Sequence, residues 1–153
     1  MHRVESVYPQ IAQLIQADLQ AVGMKVSLQG FVQAAFGAKI NAGEHQVAIN
    51  DWTMGNSDPD NVMWGLFSTN RARVRMSYEN PQVDKLNRDA QVDRDPTKRR
   101  QMYLQSQRLV LEDAPFVTLG YPDIAMGARA NIDGLLVSPL SDVVMREVKI
   151  RGA

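Results

Sequence analysis

The sequence predicts an α/β fold, because a helical pattern is followed twice by a strand-like pattern. Apolar residues at three- to four-residue spacing predict an amphipathic helix from Tyr8 to Val22, which Gly23 ends. Met24 to Gln29 then alternates apolar and polar residues, as a half-buried strand does. Helical spacing returns from Phe31 to Asn41, and the apolar run from Val47 to Ile49 predicts a second strand.

The loop after the second predicted strand is where a ligand is expected. Trp52 ends that strand, and Thr53 to Asn61 is rich in Gly, Asn, Asp, Ser and Pro. Ligands of α/β proteins bind beyond the carboxyl ends of strands. Trp52 either lines such a cleft or is packed in the core, as large aromatic residues usually are.

Three pairs of a capping residue and a proline predict the helices in the middle of the chain. They are Asp58-Pro59, Asn80-Pro81 and Asp95-Pro96. The first predicts a short helix through Phe67, the second predicts another helix, and the third predicts a longer one. Lys98, Arg99 and Arg100 follow the last pair, and we expect them to be solvated because positive charge is unfavourable at a helix N-terminus.

Two other regions are predicted to be extended. Arg71, Arg73 and Arg75 alternate with other residues, which indicates an extended segment. Beyond Ala114-Pro115 the chain is predicted to be β-rich, with short runs separated by Gly, Pro and Asp. These runs are Phe116 to Leu119, Ile124 to Ala128, Leu135 to Val137 and Val143 to Ile150.

Composition excludes several functional classes. The 153 residues, 44% of them hydrophobic, suffice for one core. The 17 basic and 17 acidic residues cancel, so no field of one sign attracts nucleic acid or an anionic membrane. There is no cysteine, which removes thiolate nucleophiles and leaves His2 and His45 as the nitrogen ligands for a metal. We therefore expect no metal and no cofactor.

No part of the chain is expected to insert into a membrane or to direct export. No apolar run approaches the roughly 20 residues that span a bilayer. Residues 4–20 contain too many polar side chains for the hydrophobic region of a signal peptide. Any export signal of the parent protein is expected upstream.

Five segments in this order carry a resemblance to one family. They are IQADLQAVGMKV (Ile15 to Val26), GEHQ (Gly43 to Gln46), WTMGNSDPDN (Trp52 to Asn61), YENPQVDKL (Tyr78 to Leu86) and DPTKRRQMYLQSQRLVLEDAP (Asp95 to Pro115). Together they resemble the family 5 extracellular solute-binding proteins, the dipeptide-, oligopeptide- and nickel-binding proteins of ABC importers. The resemblance covers the chain from about Tyr8 onward.

The resemblance implies a specific architecture and set of partners. The fold would be a lobe of the periplasmic-binding-protein type, type II, with a mixed sheet flanked by helices. Residues 1–121 would form the second α/β lobe, and residues 122–153 would form the hinge and a β-rich segment that returns to an absent N-terminal lobe. The chain would thus be a fragment of a periplasmic, two-lobed protein that binds a peptide-like solute and presents it to a membrane permease.

The resemblance also directs attention to particular side chains. The candidate ligand-binding residues are Arg3, Gln33, Trp52, Thr53, Gly55, Asn56, Arg71 and Arg73. In related peptide binders an aspartate that holds the peptide's amino terminus stands where this chain has Gly55. An acidic-aromatic pair is replaced here by Val32-Gln33. Both replacements argue against the usual peptide contacts.

Two groups of arginines are candidates for binding a carboxylate. Arg71 and Arg73, with Arg75, form either an anion clamp or a solvated edge strand, since charged edges guard against aggregation. Arg3 falls near the position where dipeptide binders carry a basic residue for the ligand carboxylate, and His2 aligns about as well.

Other functions have weaker support in the sequence. Asn56, Asp58 and Asp60 imitate a calcium loop, but the glycine and glutamate that such a loop needs are missing, and helix capping by Asp58 is preferred. His45 is expected at the surface. A small α/β hydrolase is the rival enzyme, yet no Ser-centred Gly elbow or cysteine is present. A stand-alone interaction module is the other alternative.

Overall fold

The computed structural model describes residues 1–123, 125–138, 140 and 142–152. Within these ranges the helices are α1 (Tyr8–Ala21), α2 (Gln33–Ala42), α3 (Asp60–Phe67), α4 (Thr69–Met76), α5 (Pro81–Val92) and α6 (Pro96–Asp113). The strands are β1 (His2–Arg3), β2 (Gly30–Phe31), β3 (Ile132–Asp133), β4 (Leu136–Val137), β5 (Val143–Val144) and β6 (Lys149–Ile150). No helix in the described part of the chain is long and apolar enough to cross a membrane.

Three parallel chain segments lie side by side at the amino-terminal end of the fold. β1 pairs in parallel with β2, with His2 opposite Gly30. On the other side, the amino group of Met1 donates to the carbonyl of Val47 (2.7 Å), and the amide of Ile49 donates to the carbonyl of Met1 (3.0 Å). Alternating bonds of this kind are those of a parallel ladder. Residues 1–3 therefore form the middle segment.

The two predicted strands of this region are only partly correct. Met24 to Gln29 does not form a strand, and pairing begins only at Gly30. The carbonyl of Val26 accepts a hydrogen bond from the side chain of Gln16 (2.8 Å). This side chain takes the place of the backbone amide that a neighbouring strand would provide. Residues 47–49 make the contacts with Met1 but are too briefly paired to count as a strand.

The first two helices match their predicted positions. α1 begins at Tyr8 and ends at Ala21, followed by Gly23 with a positive φ of 87°. α2 begins at Gln33, two residues later than predicted. It ends at Gly43, whose φ of 70° lies in the left-handed region that glycine adopts readily. α2 follows directly from β2, which places Gln33 beyond the end of a strand.

Helices α3 to α6 enclose the main hydrophobic core. Its buried members are Met63, Phe67, Ala72, Tyr78, Val83, Ala90, Tyr103 and Val110. A buried polar pair joins three of the helices: Asn87 donates to the carbonyl of Met63 (2.9 Å), and Ser106 donates to the side-chain oxygen of Asn87 (2.7 Å). Both polar side chains are fully buried, and their bonds satisfy them.

The predicted starts of α5 and α6 are confirmed, and α3 begins at Asp60, one residue later than predicted. The side chain of Asn80 accepts from the amides of Gln82 and Val83, and that of Asp95 accepts from Thr97 and Lys98. Asp58 accepts from the amide of Asp60 (2.9 Å), the first residue of α3. Each carboxylate or amide oxygen thus satisfies amides that have no partner within the helix.

Arg99 is not simply solvated, contrary to the prediction. Its guanidinium donates to Asp58 (2.6 Å) and to the carbonyl of Ala90 (2.9 Å), and it lies 5.1 Å from the ring centroid of Tyr103. Arg99 therefore ties the start of α6 to the start of α3. Lys98 and Arg100 are exposed, as predicted.

The prediction of an extended arginine segment is wrong. Residues 69–76 form the helix α4, which buries Ala72 completely. Alanine, arginine and methionine favour helices. Burial of Ala72 stabilises the helix further through tertiary packing, which the alternation of arginines in the sequence does not predict. In a helix Arg73 is rotated by about 200° from Arg71 and Arg75, so the three side chains cannot point the same way.

The carboxyl-terminal region forms two short antiparallel pairs. β3 pairs with β6, and β4 pairs with β5. The predicted run from Phe116 to Leu119 is not a strand, and neither is 125–128, while Ile124 lies outside the described residues. Residues 143–150 contain two strands separated by a turn rather than one run. The division of the chain at residue 121 stays a prediction.

Candidate solute-binding edge

The carboxyl ends of the three parallel segments place four residues at one edge of the fold. Arg3 ends β1, Gln33 follows β2, and Asp51 and Trp52 follow residues 47–49. We call these four residues the carboxyl edge. Because parallel strands end at the same side of a sheet, residues far apart in the sequence meet here.

The Arg3 side chain is fixed at the carboxyl edge by three contacts. Its guanidinium forms an ion pair with Asp51, donates to the side-chain oxygen of Gln33 (3.0 Å), and lies 3.9 Å from the ring centroid of Tyr8. Burial, and then the nearby Asp51 carboxylate, raise the pKa of the Tyr8 hydroxyl, so that side chain stays neutral at physiological pH. Arg3 therefore has an internal counter-ion already.

Trp52 is fixed at one end and open at the other. Its indole nitrogen donates to the side-chain oxygen of Asn61 (3.2 Å), and a β-carbon at Gly65 would lie only 3.1 Å from the ring. The indole thus rests against α3, where glycine leaves room for it. The residue keeps 38% of its surface exposed, so it is not a core residue of this chain.

The loop after Trp52 presents the remaining predicted residues to solvent. Thr53, Gly55 and Asn56 are all exposed. Asn56 accepts from the amide of Asp58 (3.1 Å), which shapes the turn before α3. At Gly55 the backbone φ is not positive, and an added β-carbon would meet only the side-chain amide of Asn61, at 3.6 Å. A larger side chain therefore fits at this position.

The three arginines of α4 have different surroundings. Arg73 forms an ion pair with Glu79, and Arg71 is exposed. Arg75 is half-buried, donates to the side-chain oxygen of Asn41 (3.1 Å), and lies 6.0 Å from the ring centroid of Trp52. Arg75 therefore borders the carboxyl edge, whereas the ligand-binding role predicted for Arg71 and Arg73 stays a prediction.

The comparisons with known proteins agree with this architecture. A sequence model described as bacterial extracellular solute-binding proteins, family 5 middle, matches residues 3–73. Di/tripeptide-binding protein 2 of Pseudomonas aeruginosa is 31% identical over 143 residues, which are 92% of this chain and 27% of that protein. The chain is similar to the family 5 solute-binding proteins over most of its length. A probable D,D-dipeptide-binding periplasmic protein of Escherichia coli is 29% identical over 88% of the chain.

Solved structures of the solute-binding family share the fold. The periplasmic binding protein DppA from Helicobacter pylori, in complex with the peptide STSA, superposes with a TM-score of 0.74 at 28% identity, covering 79% of this chain and 25% of that one. A dipeptide-binding protein from Pseudoalteromonas with Met-Leu gives 0.73 at 25% identity over 99% of the chain and 32% of its own length. The predicted lobe fold is confirmed. The chain spans about a quarter to a third of these relatives, which are binding proteins and not enzymes.

The described residues do not assemble a metal site. No group of three or more His, Asp or Glu side chains that could hold an ion occurs among them. Asp58, the middle member of the calcium-like pattern, is bound to Arg99 instead. His45 is half-buried rather than at the surface, because its Nε2 donates to the carbonyl of Arg75 (2.7 Å). That bond holds the end of α4 beside the carboxyl edge.

Sequence reasoning missed two members of the site. Asp51 directly follows the apolar run 47–49, and a carboxylate just after a strand is a signal that parallel-sheet topology could have supplied. Asn61 lies at the second position of α3, and no sequence pattern links it to Trp52. Only folding of the loop brings the two side chains together.

Proposed function

We propose that this chain is one lobe of the solute-binding component of an ABC importer, which captures a small peptide or peptide-like solute in a cleft between two lobes. One observation carries the proposal: the carboxyl ends of three parallel segments present Arg3, Gln33, Asp51 and Trp52 on one partly exposed edge. Such an edge is where α/β folds bind ligands. The relatives named for di- and tripeptides support the solute class.

The solute would be enclosed by a second lobe. One exposed edge leaves a ligand half solvated, and closure of two lobes around it is the hinge motion that such proteins use. In the closed form the protein would dock on a membrane permease, in the periplasm. Residues 1–121 would form the lobe described here, and residues 122–153 would return to the other lobe.

A thermal-shift screen of the full-length protein tests the proposal. The compounds are di- and tripeptides, opines, sugars and metal chelates. A ligand that binds only the folded protein raises its melting temperature, by an amount that grows with its concentration over Kd. We expect peptides or peptide-like compounds to give the largest shifts. Shifts confined to sugars or chelates would overturn the assigned solute class.

A further inference from the structure

A small pocket opens beside the carboxyl edge, between α2 and the end of α4. It encloses about 110 Å³, well above the roughly 10–15 Å³ that one water needs. Buried Phe36 and Ile40 contribute its apolar wall. Its polar lining consists of Gln33, Asn41, Asn50 and Arg75. Among the described residues, the pocket therefore combines three amides with one guanidinium, and no carboxylate lines it.

The hydrogen bonds of Gln33 and Asn41 indicate which of their side-chain atoms remain free to bind a ligand. The oxygen of Gln33 accepts from Arg3, and the oxygen of Asn41 accepts from Arg75. Within the ranges that the structure describes, the amide nitrogen of neither side chain donates a hydrogen bond to protein. Each oxygen already accepts one hydrogen bond, and both side chains keep N–H donors that are free to bind a ligand. The pocket thus has an excess of donors.

Arg75 is the charge that makes this pocket distinctive. Three other arginines each form an ion pair with a carboxylate: Arg3, Arg73 and Arg99. Arg75 is half-buried and has no ion pair with any carboxylate of the described residues. It is held by Asn41 and by its position near the ring of Trp52. A positioned guanidinium with free donors suits a planar carboxylate, which it can bind through two hydrogen bonds.

We propose that this pocket binds the carboxylate of the solute, with Arg75 as the charged partner and the amide nitrogens of Gln33 and Asn41 as neutral donors. That the carboxylate belongs to a captured solute rests on the proposed function. Arg3, the residue that the resemblance suggests for this task, is neutralised by Asp51 and donates to Gln33. Arg75 therefore takes the place of Arg3 as the carboxylate receptor.

The first test needs no knowledge of the solute. The full-length protein is labelled with ¹⁵N-arginine and titrated with sodium acetate at constant ionic strength, with acetamide as the neutral isostere. We expect the Arg75 Nε–H resonance to shift saturably with acetate and not with acetamide. The Arg88 resonance, from an exposed arginine of α5 that does not line the pocket, is the internal control. Equal, unsaturated shifts at both arginines, or no shift at Arg75, would overturn the pocket assignment.

The second test measures peptide affinity by calorimetry. The wild type, Arg75→Gln, Arg75→Lys and the matched control Arg88→Gln are compared with trialanine and its C-terminal amide. Loss of a charge-assisted hydrogen bond is expected to weaken trialanine binding by roughly tenfold to hundredfold in Arg75→Gln, less in Arg75→Lys, and not in Arg88→Gln. The amide should bind all four proteins alike. Equal losses in Arg75→Gln and Arg88→Gln would overturn the proposal.

The two tests separate this inference from the proposed function. A saturable acetate response at Arg75 without binding of any peptide would support the carboxylate pocket and contradict peptide capture. Peptide binding that ignores both Arg75 and the C-terminal carboxylate would support capture and contradict the pocket. Circular dichroism of each variant shows whether it is folded, and the acetate titration uses the wild type alone.

Discussion

The helices α3 to α6 and the carboxyl edge are held together by different forces. The helical region contains eight of the eleven buried apolar residues of the described chain, in one cluster. The carboxyl edge has an ion pair, two side-chain hydrogen bonds and an exposed indole. Core burial is worth far more per residue than exposed polar contacts. Stability is therefore expected to depend on the helices, and recognition on the edge.

The largest expected effect breaks the core. Phe67 is 4% exposed and its ring lies 5.1 Å from that of Phe116. Replacing it with alanine leaves a cavity, and Phe67→Ala should lower the free energy of unfolding by about 3–5 kcal/mol. Urea denaturation of the full-length protein measures this. Leu111→Ala, at a position 59% exposed, is the control and should change it by less than about 0.5 kcal/mol. Equal effects would contradict the location of the core.

The buried polar pair gives the next effect. Asn87→Ala removes both bonds that Asn87 makes, leaving the Met63 carbonyl and the Ser106 hydroxyl without that partner. The orphaned Ser106 hydroxyl costs about 1–3 kcal/mol, whereas the Met63 carbonyl loses less because, within α3, a helical carbonyl also accepts from the amide four residues further on. Because Ser106 depends on Asn87, the double variant with Ser106→Ala should be less destabilised than the sum of the single variants. Strict additivity in the double-mutant cycle would show that the two side chains do not interact.

A substitution at Gly55 should change recognition and leave stability unaltered. An aspartate fits there. By the family resemblance, it would restore the carboxylate that is expected to hold a peptide's amino terminus. Gly55→Asp in the full-length protein should improve binding of free-amino peptides over N-acetylated ones by roughly tenfold, the value of one charge-assisted hydrogen bond. Calorimetry with both peptide forms measures the ratio. An unchanged ratio would mean that the ammonium group is bound elsewhere, for example at Asp51.

The smallest effect concerns acid stability. The hydrogen bond from Arg99, and then that from the Asp60 amide, hold the pKa of Asp58 below its usual value. A lowered folded-state pKa stabilises the protein above the unfolded value of about 3.9, and this contribution is lost as pH falls through the folded pKa. Asp58 is 39% exposed, so solvent screening limits the contribution to about 0.5 kcal/mol.

Asp58→Asn tests this contribution. The variant lacks the titrating carboxylate, so its stability should fall less steeply than that of the wild type between about pH 5 and pH 3. Urea denaturation at a series of pH values measures both slopes. A variant with the same slope as the wild type would show that the ion pair with Arg99 contributes nothing measurable in solution.

The sequence was most informative where local chemistry determines structure. Asn80-Pro81 and Asp95-Pro96 mark helix starts because the capping bonds are made within three residues. The strands were harder to predict, because strand pairing depends on residues far away in the sequence. Gly30 pairs with His2, whereas the alternating run from Met24 to Gln29 forms no strand. At the site, Trp52 was predicted either to line a cleft or to be packed in the core, and its 38% exposure argues against the core, while its role in binding stays a prediction. The proximity of Asn41, Asn50 and Arg75 was not predicted, because it depends on how α4 packs beside α2.

The central claim is that solute binds at the carboxyl edge, and Trp52 tests it most directly. The wild type, Trp52→Ala and the control Tyr121→Ala, which removes an aromatic side chain that is 93% exposed, are titrated by calorimetry with the peptide that gives the largest thermal shift. Truncating an aromatic contact at the centre of a binding site should weaken binding by at least roughly tenfold in Trp52→Ala, with little change in melting temperature. Tyr121→Ala should bind as the wild type does. Wild-type affinity in Trp52→Ala would contradict the account.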